Sequence, residues 1–300
     1  MYLKRWNKVL DMSDFRTGRL PVPGATLYYE IRGNGPLLLL LQGGDGNTAR
    51  GADLAGRLAT DYTVVIPDRR GLSRSVLDDP ALPVTVATHA DDAHRLLADL
   101  TDGPARIFGS SYGALIALTL AADHPEQVRT LIAHDPATIG LLPTAARNRA
   151  DHDLAALDEV YRRDGTRPAL RKLAELVHAD FSDREPGVAP PAPRGPGDLN
   201  DLDFFLSRDL PEIRSSTLDA AHIAALVRSP VHIVPAAGHG SREIWNYDCA
   251  RALAALLDST VTEFPGGHSL STHPAAFAAR LREVLHEADC PAAATATHNT

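Results

Sequence analysis

Short segments rich in apolar, β-branched and aromatic residues alternate along the chain with longer stretches in which apolar positions recur every three or four residues. Ala25 to Ile31, Leu37 to Leu41, Thr63 to Ile66, Ala105 to Phe108, Thr130 to Ala133, Val231 to Val234 and Val261 to Phe264 show the first pattern and are predicted strands. Several are unbroken apolar runs, so both of their faces must be covered. Helical periodicity over Thr48 to Ala59, Thr85 to Leu100, Tyr112 to Ala122, Tyr247 to Leu257 and Pro274 to Glu287 supplies the covering layers. The alternation predicts an α/β fold: a mostly parallel, doubly wound central sheet flanked by helices.

The rhythm breaks between Pro136 and Ser229, where helical periodicity continues without a convincing strand. This predicts a helical insertion over residues 136–229, dividing a core made of 18–135 and 230–287. Inside it, Ser182 to Asn200 is so rich in proline and glycine that no helix is expected there. Residues 1–17 have no partner in the pattern and are expected to be an N-terminal extension, and 288–300 an unstructured C-terminal tail.

Composition narrows the partners. Three hundred residues, 44% hydrophobic and 23% charged, suffice for a sizeable core in one large domain carrying an insertion. The net charge of −8 gives no footprint for nucleic acid, and no basic stripe interrupts it. The longest apolar run, Leu37 to Leu41, is far shorter than the roughly 20 residues that span a bilayer, and the N-terminus lacks an apolar signal core. A cytoplasmic protein acting on a small molecule is expected, with no membrane or nucleic-acid partner; a homodimer is compatible with the composition. Cys249 and Cys290 are too few for a disulfide framework and are expected to be free thiols.

Three segments carry chemistry. The predicted strand Ala105 to Phe108 runs into Gly109-Ser-Ser-Tyr-Gly113 and then an apolar helix. In that context a Gly-x-Ser-x-Gly turn aims its serine, Ser111, out of the C-terminal edge of the sheet, and the helix behind it offers N–H donors to a developing anion. An ordinary glycine-rich turn could have the same composition. Gln42-Gly-Gly-Asp-Gly-Asn-Thr-Ala49 supports two readings. Gly44-x-Gly46-x-x-Ala49, with Asp68 closing the next strand, fits a dinucleotide-binding fingerprint and so an oxidoreductase. The same glycines can instead bring a backbone N–H to an oxyanion beside Ser111, and only this reading also accounts for the serine turn. The third segment is Gly266-Gly-His268, on the loop after the last predicted strand, from which a base can reach across strand ends to Ser111. His89, His94 and His124 sit on helical stretches and His232 in a strand, none with metal-ligand spacing.

Taken together, PVPGATLYYEIRGNGPLLLL, QGGDGN, PDRRGLSRS, GSSYGA, HPEQVRTLIAHDP and FPGGHSLSTHPAAFAARLREVL resemble the α/β-hydrolase superfamily from about Thr17 to His286. The resemblance implies the α/β-hydrolase fold, Ser111 as nucleophile, His268 as general base and acid, and the backbone N–H groups of Gly44 and Tyr112 as an oxyanion hole. It makes residues 136–229 a cap over the pocket and calls for no cofactor. Aspartate is the nucleophile in the dehalogenases and epoxide hydrolases of the superfamily, so a serine implies ester, thioester, lactone or amide chemistry through an acyl-enzyme. Tyr112, Phe181, Phe204, Phe205 and Leu206 are the candidate pocket walls, for a small and largely apolar substrate.

The chain departs from the family pattern at two places. Gln42 stands where the oxyanion loop usually has histidine. Gly240 stands where the acid commonly follows the strand Val231 to Val234, and losing a triad acid can cost about 10⁴ in kcat. Asp135, closing the strand that should lie beside the Ser111 strand, is the candidate replacement, since some superfamily members take their acid from this strand end. Asp135-Pro136 is also a common turn opener, and Glu243 and Asp248 are further candidates. The departures leave two competing functions: a non-hydrolytic enzyme of this fold (lyase, cyclase or acyltransferase of specialised metabolism), and a non-catalytic small-molecule binding protein.

Overall fold

The apolar run Leu37–Leu41 is buried along its whole length, because its side chains divide between two layers. The computed structural model describes residues 15–44, 46–190 and 194–289. Its elements run β1 (Arg16–Val22), β2 (Ala25–Arg32), β3 (Leu37–Leu41), α1 (Thr48–Leu58), β4 (Thr63–Pro67), β5 (Val76–Leu77), α2 (Val86–Leu100), β6 (Ala105–Ser110), α3 (Tyr112–Asp123) and β7 (Val128–His134). After β7 come α4 (Thr144–Asp164), α5 (Thr166–Leu176), α6 (Pro196–Phe204), a π-helical turn (Phe205–Asp209), α7 (Leu210–Ser215) and α8 (Ala220–Val227). The chain closes with β8 (His232–Gly238), α9 (Trp245–Leu256), β9 (Thr262–Phe264) and α10 (Pro274–Asp289).

The strands form one nine-stranded sheet in the order β1-β2-β4-β3-β6-β7-β8-β9, with β5 pairing β2. From β4 to β9 every neighbouring pair is parallel, whereas β2 pairs antiparallel with β1, β4 and β5. Period-2 alternation sends Leu37, Leu39, Leu41, Val65, Ile107 and Leu131 to the layer built from α2, α3, α9 and the inserted helices. Leu38, Leu40, Val64, Ile66, Phe108 and Ile132 face the opposite layer, where Leu58 of α1 and Phe277, Leu281 and Leu285 of α10 meet them. Strand order reverses between β3 and β6, so the loops leaving their C-terminal ends, Gln42–Gly44 and Ser111, open onto one crevice, where open α/β sheets bind ligands.

Several expectations shift by local chemistry. Residues 16–17 belong to β1 rather than to an extension, and β1 pairs with β2 along its length. Its sequence RTGRLPV alternates half-buried and exposed positions, as an edge strand does, and lacks an apolar run. Between β7 and β8 the described residues form only helices and irregular segments. The Pro/Gly-rich stretch nevertheless ends in a helix, because Pro196 occupies the first turn of α6, where a missing N–H costs nothing. The last helix extends through Asp289, whose carboxylate pairs with Arg106 and Arg129, beyond the expected end at residue 287. Met1 to Asp14, Cys290 and the rest of the tail lie outside the described residues.

Candidate active site

The turn after β6 is shaped by close backbone contacts. Ser111 has φ 55° and ψ −121°, a conformation that costs a non-glycine residue on the order of 1–3 kcal/mol and is held only where the surroundings fix it. A side chain at Gly113 would stand 2.1 Å from the Leu41 carbonyl oxygen, and one at Gly109 would strike the start of α3, so both flanking positions require glycine. Ser111 N–H donates to His134 O at 2.9 Å, and Ser111 O accepts from Ala137 N–H at 3.1 Å. The elbow is thereby stitched to both sides of Asp135.

Asp135 directly follows β7 with a second left-handed backbone, φ 43°, and is fully buried. Its Oδ2 lies 3.2 Å from His268 Nδ1 and accepts from Ser241 Oγ at 2.7 Å, while Oδ1 accepts from Gly238 N–H at 3.3 Å. Its backbone is fixed as well, the N–H donating to Ala236 O at 2.8 Å and the carbonyl accepting from Asn246 Nδ2 at 3.1 Å. Burial alone pushes the carboxyl up, but His134, His268 and Ser241 together hold it below the usual carboxylate range. His134 is itself pushed down to about 4 by burial and is neutral at pH 7, so there the hydrogen bonds from His268 and Ser241 carry the effect. An ionised carboxylate can only accept, so Nδ1 of His268 is the donor in this pair, and in the neutral imidazole Nε2 carries the lone pair.

The Asp135–His268 pair is therefore closed, while Ser111 Oγ and His268 Nε2 make no hydrogen bond among the described residues. Such a bond is often open in a free enzyme and tightens with substrate. The other candidate acids are elsewhere: Glu243 is exposed, and Asp248 is half-exposed and faces Arg251 at 3.8 Å. At Gly240, an added side chain would begin 3.3 Å from Gly267 Cα, and Gly240 N–H donates to Gly266 O at 2.9 Å. The glycine lets this turn lie against the loop that carries His268.

The Gln42–Asn47 loop approaches from the other side. A side chain at Gly43 would start 3.3 Å from Ser111 Cβ and 3.8 Å from Oγ, whereas Gly44, one residue on, packs against the ring of Phe205. Gln42 replaces the usual histidine by donating from Nε2 to Asn47 O at 3.2 Å, closing the loop on itself. The dinucleotide alternative loses its cradle. The Arg69 guanidinium fills the space a side chain at Gly46 would need, and buried Asp68 accepts from Thr48 N–H at 2.7 Å and Arg74 Nε at 2.9 Å.

Of the candidate walls, Phe205 faces the loop and the Tyr112 ring, 6.2 Å between centroids, and Phe204 packs on Gly71. Tyr112 and Leu206 are buried in the core, and Phe181 is on the surface. Sequence reasoning missed Ser241, Asn246, Arg69, His89 and Asp209. The pair of arginines in PDRRG was the one local signal; both turn inward, Arg69 to Asp209 and Arg70 to Asp92, and the sequence does not say which of them reaches the loop beside Ser111.

A sheet of this topology, with a serine elbow after β6 and a histidine after β9 facing a buried carboxylate, defines an α/β hydrolase. A model of the alpha/beta hydrolase fold matches residues 36–205. The chain is also 39% identical over 272 residues to YraK of Bacillus subtilis, an uncharacterised hydrolase, covering 90% of this chain and 96% of that one. This chain therefore belongs to the α/β-hydrolase family. It is 34% identical over 121 residues to 2-(acetamidomethylene)succinate hydrolase of Mesorhizobium japonicum, spanning 40% of this chain and 43% of the relative. The solved structure of a thermophilic esterase from Thermogutta terrifontis superposes with a TM-score of 0.66 at 18% identity, covering 91% of this chain and 99% of that one; the likeness is one of fold. Among the described residues, no helix is long and apolar enough to cross a membrane.

Proposed function

We propose that the chain is a serine hydrolase that cleaves an ester, thioester, lactone or amide of a small, largely apolar compound through an acyl-enzyme on Ser111. The observation that carries this reading is the 3.2 Å contact between Asp135 Oδ2 and His268 Nδ1, beside an elbow stitched to the same strand end. His268 Nε2 takes the proton of Ser111 Oγ as Oγ attacks the carbonyl carbon, and Asp135 stabilises the imidazolium that results. The negative charge moves to the carbonyl oxygen, where the backbone N–H groups of Gly44 and Tyr112 receive it. Such donors are each worth about 10²–10³ in kcat. His268 then gives its proton to the leaving group, the acyl-enzyme forms, and a water deprotonated by His268 releases the acid.

The helices between β7 and β8 act in this reading as a cap, with Phe205 as an apolar wall above the loop. The chemistry calls for no cofactor, and the partner is the small-molecule substrate. Short-chain p-nitrophenyl esters and thioesters test it. Turnover is expected, together with a fluorophosphonate adduct on the peptide bearing Ser111, both abolished in Ser111→Ala. A folded protein that neither labels nor turns over any member of the panel contradicts the reading and favours a non-hydrolytic role.

A further inference from the structure

One guanidinium holds three consecutive carbonyls of the loop beside Ser111. Arg69 Nη1 donates to Gln42 O at 2.9 Å and also to Gly43 O, and Nη2 donates to Gly44 O at 3.0 Å. In a trans peptide the C=O of one residue and the N–H of the next point in opposite directions in one plane. Fixing the Gly43 carbonyl on Arg69 therefore turns the Gly44 N–H away from Arg69.

Arg69 is itself fixed from outside the core. Its Nη2 donates to Asp209 Oδ2 at 2.8 Å, and Asp209 Oδ1 lies 3.0 Å from His89 Nε2; both side chains of the Arg69–Asp209 pair are almost completely buried. The same guanidinium stands 5.2 Å from the centroid of Tyr112, whose ring also meets His89 edge-on at 5.8 Å. Asp209 belongs to the π-helical turn, whose other end places Phe205 against Gly44. A π-turn is an uncommon local geometry that recurs at functional sites.

We infer that Arg69, anchored by Asp209 of the insertion, is a positioning residue that sets the direction of the Gly44 N–H donor, so that the inserted helices complete the oxyanion hole as well as covering it. The inference rests on the serine-hydrolase reading. Arg69 touches neither substrate nor reacting atoms and acts through the loop. Lysine cannot replace it, since a single ammonium does not span three carbonyls in a fixed fork.

The test compares Arg69→Met with the parent on a p-nitrophenyl ester, measuring kcat and KM separately together with the affinity for an alkylboronic acid, which binds as a tetrahedral anion. Loss of donor alignment lowers kcat by about 100-fold with KM within about threefold, and weakens boronate binding by a similar factor. Should Arg69→Met not fold, Asp209→Asn gives the same readouts, with kcat and boronate affinity lowered together by at least about tenfold. Arg208→Ala, from the exposed side of the same turn, keeps both within about twofold. An active, labelled parent whose Arg69→Met or Asp209→Asn variant keeps its kcat and boronate affinity, or changes only in KM, overturns the inference alone. A parent that neither hydrolyses the ester nor labels at Ser111 overturns the functional reading, and the inference with it.

Discussion

Ser241 Oγ donates to Asp135 Oδ2 at 2.7 Å, the same oxygen that faces His268 Nδ1 at 3.2 Å. The hydroxyl is fully buried and occupies the turn next to Gly240, where the family commonly supplies its acid. The turn after β8 thus contributes a donor to a carboxylate that arrives from β7. A hydrogen bond to a charged group contributes about 1.5–3 kcal/mol. Ser241→Ala is therefore expected to lower kcat/KM by about tenfold or more in steady-state ester hydrolysis, with Ser111 still open to fluorophosphonate. Unchanged kcat/KM would show that Asp135 is held without it.

His134 makes the fold acid-sensitive from inside. Its ring is fully buried among Phe108, Phe264 and Phe277, and neither nitrogen has a hydrogen-bond partner among the described residues. Burial pushes it from 6.5 to about 4, with Asp135 at 4.0 Å opposing the shift without overcoming it. The unfolded chain takes up the proton first as pH falls. Stability is thus unaffected well above pH 6.5 and is lost progressively from there down to about 4, by roughly 3 kcal/mol in all. His134→Leu should flatten this limb of the urea midpoint between pH 7 and 4.5, at no cost at pH 7. A parallel pH dependence of the two proteins would contradict the assignment.

Glu185, in the loop after α5, caps a helix far along the chain. Its carboxylate accepts from Ala275 N–H at 3.0 Å and Ala276 N–H at 2.6 Å, and its own N–H donates to Thr272 O at 2.9 Å. The insertion is thereby fastened to the start of α10, directly after the His268 loop. Removing such a cap costs about 1 kcal/mol. Glu185→Ala should lower Tm by a few degrees and speed hydrogen exchange at the Ala275 and Ala276 amides; unchanged protection there would refute the cap.

Cys249 is fully buried on α9, and burial pushes its thiol up to about 12. Only thiolate reacts with alkylating agents at an appreciable rate. Iodoacetamide at pH 8 should leave the Cys249 peptide unmodified in the native protein and label it after unfolding in urea, as read by mass spectrometry. Rapid native labelling would mean that α9 opens.

The parts of the site legible in the sequence are those set by local pattern. Unbroken apolar runs marked β3, β4 and β7, because strands covered on both faces need apolar residues at nearly every position. Ser111 and His268 stood out because each occupies a turn whose glycines are local requirements, and Asp135 because it ends the strand beside the elbow. The residues that hold them were not legible. Arg69 meets Asp209 across 140 positions and His89 meets it across 120, and no period along the chain marks a polar side chain that will be buried against so distant a partner. Edge strand β1 escaped notice because one of its faces meets solvent and its residues include glycine and proline.

The central claim is that the acid has moved from the turn after β8 to the end of β7. It is tested most directly by the second-order rate of fluorophosphonate labelling at Ser111, which depends on His268 as base and requires no knowledge of the natural substrate. The account predicts a rate lowered by about 10³–10⁴ in Asp135→Asn, from a histidine held in the wrong tautomer, and a parental rate in Glu243→Gln and Asp248→Asn. Labelling of Asp135→Asn at the parental rate, or loss of labelling in Glu243→Gln, would contradict it.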